Sequence, residues 1–204
     1  IGLKYNPKNN LSFNLNLFNN KVNDLIEWQL VAKDENNINI YSYFNVNQVE
    51  TKGLEFNSTY KKPDNWEIKF GYQLLYAYDT EVVKDIEKDY SDYYALDTET
   101  LTSIKLNKDD YFGLFNRSRH MGNIKLHYHL NETIDLNTML TYRSKYALSD
   151  SNGNGILDTY DKFIDGYSLC DVGITHHINS LRSCQIGVKN IFGFTNPEYI
   201  SNIS

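Results

Sequence analysis

Residues 150–161 of this 204-residue chain, DSNGNGILDTYD, carry oxygen donors at the spacing of an EF-hand-type calcium loop. Such a loop takes oxygen ligands from positions 1, 3, 5, 7, 9 and 12 and places glycine at position 6 for the turn. The ligand positions hold Asp150, Asn152, Asn154, Ile156 through its carbonyl, Asp158 and Asp161, with Gly155 sixth. Three carboxylates within twelve residues repel one another, and a dication removes that repulsion. Asp161 is one methylene shorter than the usual glutamate, and asparagines stand at positions 3 and 5. Both features lower the expected affinity toward the roughly 10⁻⁴–10⁻³ M of extracellular modules. The ion expected is Ca2+ in a structural role. A turn rich in Asn and Gly that binds nothing fits the same residues.

The five histidines are the second candidate set. His127 and His129 would share one face of a strand, about 7 Å apart by strand geometry. That spacing permits a metal pair, but the ordinary polarity of a lumen-lining strand face accounts for it better. His120 precedes that strand, while His176 and His177 point to opposite faces of another. If residues 179–181 form a turn, Cys184 faces His176, which leaves the Cys170 and Cys184 sulfurs roughly 20 Å apart, beyond disulfide reach. Both are expected as free thiols on an apolar face with Val172, Ile174, Ile186 and Val188. No phosphate loop, nucleophile elbow or zinc-protease helix is present, so the chain is not read as an enzyme.

These residues need elements to hold them, and the composition points to strands. Tyr contributes 17 residues and Phe 10, with few prolines and many Asn, Asp and Gly between aromatic runs. A formal charge of -6 argues against a nucleic-acid partner. No apolar run reaches the roughly 18 residues of a membrane-spanning helix. Strands of alternating polarity can still cross a bilayer as a closed barrel.

The clearest strand is WEIKFGYQLLYAY, 66–78. Trp66, Ile68, Phe70, Tyr72, Leu74, Tyr76 and Tyr78 occupy every second position, with Glu67, Lys69, Gly71 and Gln73 between the first five. Period-two alternation gives one apolar and one mostly polar face. Thirteen residues at roughly 3.3 Å each, tilted near 45°, cover about 30 Å, the depth of a bilayer core. The pattern recurs over 13–17, 124–130 and 134–142. About eight strands are expected, over 1–6, 11–32, 38–61, 65–80, 121–131, 133–147, 167–178 and 182–193. Short links alternate with the long segments 81–119 and 148–166. Short turns at one end and long loops at the other is the plan of outer-membrane barrels. A soluble sandwich also alternates, but a polar set of Asn, Lys, His, Asp and Arg suits a watery lumen.

The segments RSRHMGNIKLHYHL (117–130), LTYRSKY (140–146), GYSLCDVGI (166–174) and GVKNIFGFTNPEYI (187–200) occur in this order. Together they resemble the C-terminal barrel strands of TonB-dependent outer-membrane receptors. VETKGLEFNSTYK (49–61), with Gly53, Leu54 and Glu55 at its centre, is similar to a strand of the same family. The resemblance covers essentially the whole chain and implies an all-β, antiparallel transmembrane barrel section: about eight strands of a larger, probably 22-stranded barrel. Residues 1–204 are then expected to be the C-terminal part of the barrel, without the plug domain and the closing strand. The resemblance also implies the outer membrane of a Gram-negative cell, with the lipid bilayer, a small nutrient ligand and the TonB complex (through the absent plug segment) as partners. The nutrient could be an iron chelate, haem, cobalamin or a glycan. The alternatives are a complete small barrel serving as an anchor or adhesin, and a soluble calcium-dependent binding module. After the loop, Tyr160, Phe163, Ile164 and Tyr167 fall at helical spacing, which resembles half of a dockerin. One such unit among strands does not make that module.

Overall fold

The structure, a computed structural model, describes residues 1–36, 38–63, 65–88, 93–96 and 102–195. The chain runs through β1 (Gly2–Lys8), β2 (Leu11–Lys33), β3 (Asn39–Lys62), β4 (Trp66–Asp79), α1 (Thr80–Ile86), β5 (Tyr94–Leu96), β6 (Ser103–Lys105) and β7 (Tyr111–Gly113). It continues through β8 (His120–Asn131), β9 (Ile134–Arg143), β10 (Leu157–Asp158), β11 (Tyr167–Asn179) and β12 (Arg182–Val188). Eight strands form one antiparallel sheet in the order β1-β2-β3-β4-β8-β9-β11-β12. Sequence neighbours are therefore spatial neighbours throughout, as in an up-and-down barrel wall. Among the described residues no pairing joins β1 to β12, so the sheet is open at both edges.

Register carries the two-faced pattern across the whole sheet. One row runs Phe13, Ser58, Phe70, Ile124, Leu140 and Cys170, partner by partner. The row one residue along runs Asn14, Asn57, Gly71, Asn123 and Thr141. A slip of one residue in any strand would mix these rows, so the alternation itself fixes the register. On the apolar face an aromatic chain crosses four strands, with ring centroids 6.5 Å apart for Tyr5–Phe13, 6.2 Å for Phe13–Phe56 and 6.0 Å for Phe56–Phe70. Gly53 has no side chain because the backbone leaves no room: a Cβ there would lie 1.9 Å from the Leu74 carbonyl oxygen.

This apolar face is not a core. Phe70, Ile124 and Ile186 are 37 %, 40 % and 74 % exposed, and among the described residues no second sheet covers them. A soluble sandwich buries its apolar faces against each other. The bilayer is the solvent that such a face requires. Cys184 pairs with His176 across the strands and is exposed, as expected; Cys170 is buried, where the Ile191 amide donates to its carbonyl.

The protein's own cores lie at the long-loop end. The segment 81–119 carries α1, β5, β6 and β7, none of them evident from its acidic, tyrosine-rich sequence. The Asp79 carboxylate caps α1 by accepting the Glu81 N–H at 2.8 Å. Ile86, Ala95, Leu106, Tyr111 and Ile156 form one buried cluster, and Phe115, Ala147 and Leu157 another. Burial pushes the Tyr111 phenol well above its usual range, and its oxygen accepts the Asp79 N–H. These clusters draw on both long segments, which fold together as one cap.

Two strands end earlier than their patterns suggest. The strand expected over 133–147 stops at Arg143, where the chain turns into the cap and Tyr146 and Ala147 become fully buried. The strand expected over 182–193 stops at Val188. Asn190 sits at φ 51°, and its side chain donates to the Phe194 carbonyl and accepts the Phe194 N–H. Phe194 stacks on Tyr167 with centroids 4.2 Å apart, closing the turn against β11. The TNPEYI end of that motif lies outside the described residues beyond Thr195, as does most of the KDYSDYYALDTET run. In the other direction, β2 beyond Leu17 pairs only with β3, and the two extend as a ribbon past the rest of the sheet.

Candidate functional site

The loop 150–161 folds around its own carboxylates. Asp150 accepts the N–H groups of Asn152, Gly153 and Gly155 at 3.1, 2.6 and 2.6 Å. Asp161 accepts the N–H groups of Ser151 and Asn152 on one oxygen and that of Asp158 on the other. Asn152 and Asn154 accept the amides two residues on, which continues the turn. Gly155 has φ +88°, a conformation that side-chain-bearing residues rarely adopt. No helix follows: Ile164 makes an isolated bridge to Tyr146 instead.

Asp158 is fully buried and Asp161 is 7 % exposed. Burial raises the Asp161 carboxyl above its ordinary range, with the neighbouring Asp158 charge adding to the effect. Among the described residues none of the three carboxylates forms an ion pair. The side-chain amides of Asn152 and Asn154 both donate to one oxygen of Asp158, at 3.0 and 2.6 Å. Two N–H dipoles thus stand at the carboxylate where a cation would. Turning either amide about its last torsion exchanges nitrogen for oxygen and leaves an oxygen donor there. An all-oxygen, acid-rich set of this kind suits a hard dication such as calcium.

The loop also holds the cap together. Leu157 pairs with Gly113 and Asp158 with Tyr111, forming the two-stranded sheet β7–β10. The Thr159 N–H donates to the Asp110 carbonyl, and Asn154 donates to the Tyr94 carbonyl. Of the proposed ligand positions, 7 (Ile156) therefore precedes and 9 (Asp158) lies within the strand that ties one long segment to the other. Sequence reasoning missed this, because nothing in 150–161 names its partner.

Two arginines at the ends of barrel strands anchor the cap, and they were also missed. Arg143 donates to the Ser118 hydroxyl and to Asn116, and lies 3.7 Å from the Tyr146 ring centroid. Arg119 lies between the Phe112 and Tyr76 rings, 4.3 and 5.3 Å from their centroids. Aromatic residues spaced through both segments were the available signal, since guanidinium groups stack on such rings.

The polar face holds three of the five histidines, His127, His129 and His177. His127 and His129 share it, as expected, with ring centroids 4.5 Å apart. The structure adds Asp135 and His177 to them. His120 stands apart, its ring 2.8 Å from the Tyr72 hydroxyl. Nearer the cap, the same face forms a hollow of about 500 Å³ lined by Glu55, Asn57, Gln73, Asn123, Thr141 and Arg143 among others. A row of this polarity suits water or a polar solute.

Residues 1–191 match the family model described as TonB dependent receptor-like, beta-barrel. Among solved structures, a mutant ferric enterobactin receptor of Pseudomonas aeruginosa is similar over 94 % of this chain, at 19 % identity and TM-score 0.58. The siderophore receptor PiuA of Acinetobacter baumannii is similar over 90 % at 15 % identity and TM-score 0.55. The ferric yersiniabactin uptake receptor FyuA of Yersinia pestis is similar over 94 % at 10 % identity and TM-score 0.57. The chain covers 24 %, 22 % and 24 % of these three, about a quarter of each. At these identities the likeness is one of fold. No curated protein matches the sequence.

Proposed function

The chain belongs to the TonB-dependent receptor-like β-barrel family, and on that premise we propose that it is the C-terminal wall section of an outer-membrane importer for a scarce nutrient. One observation carries this reading. Among the described residues the eight-stranded sheet leaves its apolar face uncovered, keeps its other face polar with hollows along it, and bears a folded cap at one end only. In this reading the apolar face meets lipid, the polar face lines the lumen, and the cap faces the cell exterior. Residues 1–204 are one part of the barrel, and energy from the TonB complex arrives through a plug segment elsewhere in the receptor. The ligand class is an iron chelate, haem, cobalamin or a glycan. Ferric chelates are the first to test, since several proteins of similar fold are siderophore receptors by name. A self-contained eight-stranded anchor is disfavoured by the unpaired edges, and a soluble calcium module by the uncovered apolar face.

Within the cap, Asp150, Asn152, Asn154, Ile156, Asp158 and Asp161 are proposed to hold one structural calcium ion. When bound, the ion supplies positive charge to three carboxylates that have no ionic partner among the described residues. The chain's own part is to shape the turn and to keep β10 against β7.

The deciding experiment is uptake of labelled ferric chelates, haem, cobalamin and oligosaccharides by cells with and without the full-length receptor, each with and without TonB. One class should enter only when both are present. Uptake of every class regardless of the receptor, or recovery of the full-length protein in a detergent-free soluble fraction, would overturn the proposal.

A further inference from the structure

We propose that His127, His129 and Asp135 form a binding site for a divalent transition-metal ion such as zinc, on the polar face of the wall at its short-turn end. The site is separate from the calcium-type loop, which lies in the cap at the opposite end. Strand register builds it: His129 is paired with Asp135 across the β8–β9 hairpin, and His127 lies two residues further along the same face. One donor atom from each of the three lies within 4.8 Å of the others. Zinc binds imidazole nitrogen and carboxylate oxygen at about 2.0–2.2 Å, which puts neighbouring ligand atoms of a tetrahedron about 3.4 Å apart. Small side-chain rotations close the difference.

Neighbouring side chains hold the three groups in place. The His127 Nδ1 is 2.7 Å from the Asn137 side-chain oxygen, a contact that holds the ring against β9. The His127 Nε2 faces an Asp135 oxygen 4.0 Å away. Among the described residues no lysine or arginine pairs with Asp135; its ionic partners are His127, His129 and His177. His177 reaches across from β11 to an Asp135 oxygen at 2.9 Å. His177 and Asn137 thus orient the carboxylate and one imidazole from outside, as the outer partners of metal ligands do. The carboxylate is 13 % exposed and the His127 and His129 side chains 36 % and 44 %, so an ion has a path in from the polar side. Beside His127 the polar face opens into a hollow of about 610 Å³ that also includes Lys125, Asn137 and Asp171. Two nitrogens and one oxygen leave a fourth position for water or another ligand. A mixed imidazole–carboxylate set favours zinc, copper or nickel over calcium or magnesium.

The test uses the full-length receptor, purified in detergent, stripped with chelator and carrying Cys184→Ser so that the exposed Cys184–His176 pair contributes nothing. Zinc chloride titrated by calorimetry should bind with one saturable site, and cobalt(II) should give the visible absorption of a four-coordinate nitrogen–oxygen site. His127→Ala/His129→Ala should remove the zinc site and the cobalt spectrum. His177→Gln should weaken zinc roughly 10–100-fold, the usual effect of losing an outer partner. Asp150→Ala should leave zinc unchanged. Heat-modifiable electrophoretic mobility verifies that each variant keeps its barrel. If folded receptor takes up no stoichiometric zinc, or the double histidine variant binds it as tightly, Asp135 only shares protons with its histidines and the metal site does not exist.

Discussion

The wall and the cap solve the same problem with different solvents. In the wall nearly every side chain keeps one side open, and apolar rows such as Phe70 and Ile124 stay exposed within the protein itself. In the cap a few residues are sealed completely, with Tyr146, Leu157 and Asp158 at 1 % exposure or less. The wall thus borrows its apolar environment from lipid, while the cap must make its own from two segments of chain. The contrast predicts that the two can be damaged separately. A wall lesion should matter in a bilayer, whereas a cap lesion should matter in water.

The largest separation should come from Leu157→Ala. It removes a fully buried side chain and should cost the cap about 2–5 kcal/mol. Hydrogen exchange should then rise across 105–116 and 156–164 while the barrel's thermal transition stays put. An equal fall in that transition would merge the two regions into one cooperative unit. On the wall, Phe70→Lys places a charge at mid-depth of the lipid face and should cost about 2–4 kcal/mol in bilayer refolding. Gln73→Lys, on the polar face beside Glu55, should stay within about 0.5 kcal/mol. Equal penalties at the two positions would indicate a core buried on both sides.

A smaller effect concerns calcium. With a millimolar dissociation constant, about 10 mM calcium should stabilise the cap by about 1.4 kcal/mol. Limited proteolysis between Leu148 and Gly166 should slow as calcium rises into the millimolar range, and Asp150→Ala should abolish the protection. Cleavage that ignores calcium would leave the loop as a turn and nothing more. Smallest is the cap of α1. Asp79→Ala should cost about 1 kcal/mol and speed exchange in the first turn of that helix only.

What could be read in advance follows the same division. All eight wall strands, their order of links and their two faces were legible, because a period of two repeated over eight segments leaves little freedom of register. Even the Cys184–His176 pairing followed from the length of one turn. The cap was illegible for the opposite reason. The sequences around α1 and β7 carry no periodicity of their own, and their burial depends on Leu157 and Ile156 arriving from a distant segment. The histidine cluster lies between these cases. His127 and His129 declare themselves on one strand, but Asp135 and His177 join them only when the register of β8, β9 and β11 is taken together. Adding the turn lengths across those three strands would have found it.

The pairing of β7 with β10 has a consequence for how the molecule is assembled. Its two short strands are separated in the chain by the whole β8–β9 hairpin. Closing so long a loop for so few hydrogen bonds is entropically costly unless intervening structure already holds the ends near one another. Adjacent wall strands need only local turns, so they can zip in sequence. The cap should therefore be the last part to acquire protected amides during refolding, and the moment at which Leu157 becomes protected is a clock for completion of the wall beneath it.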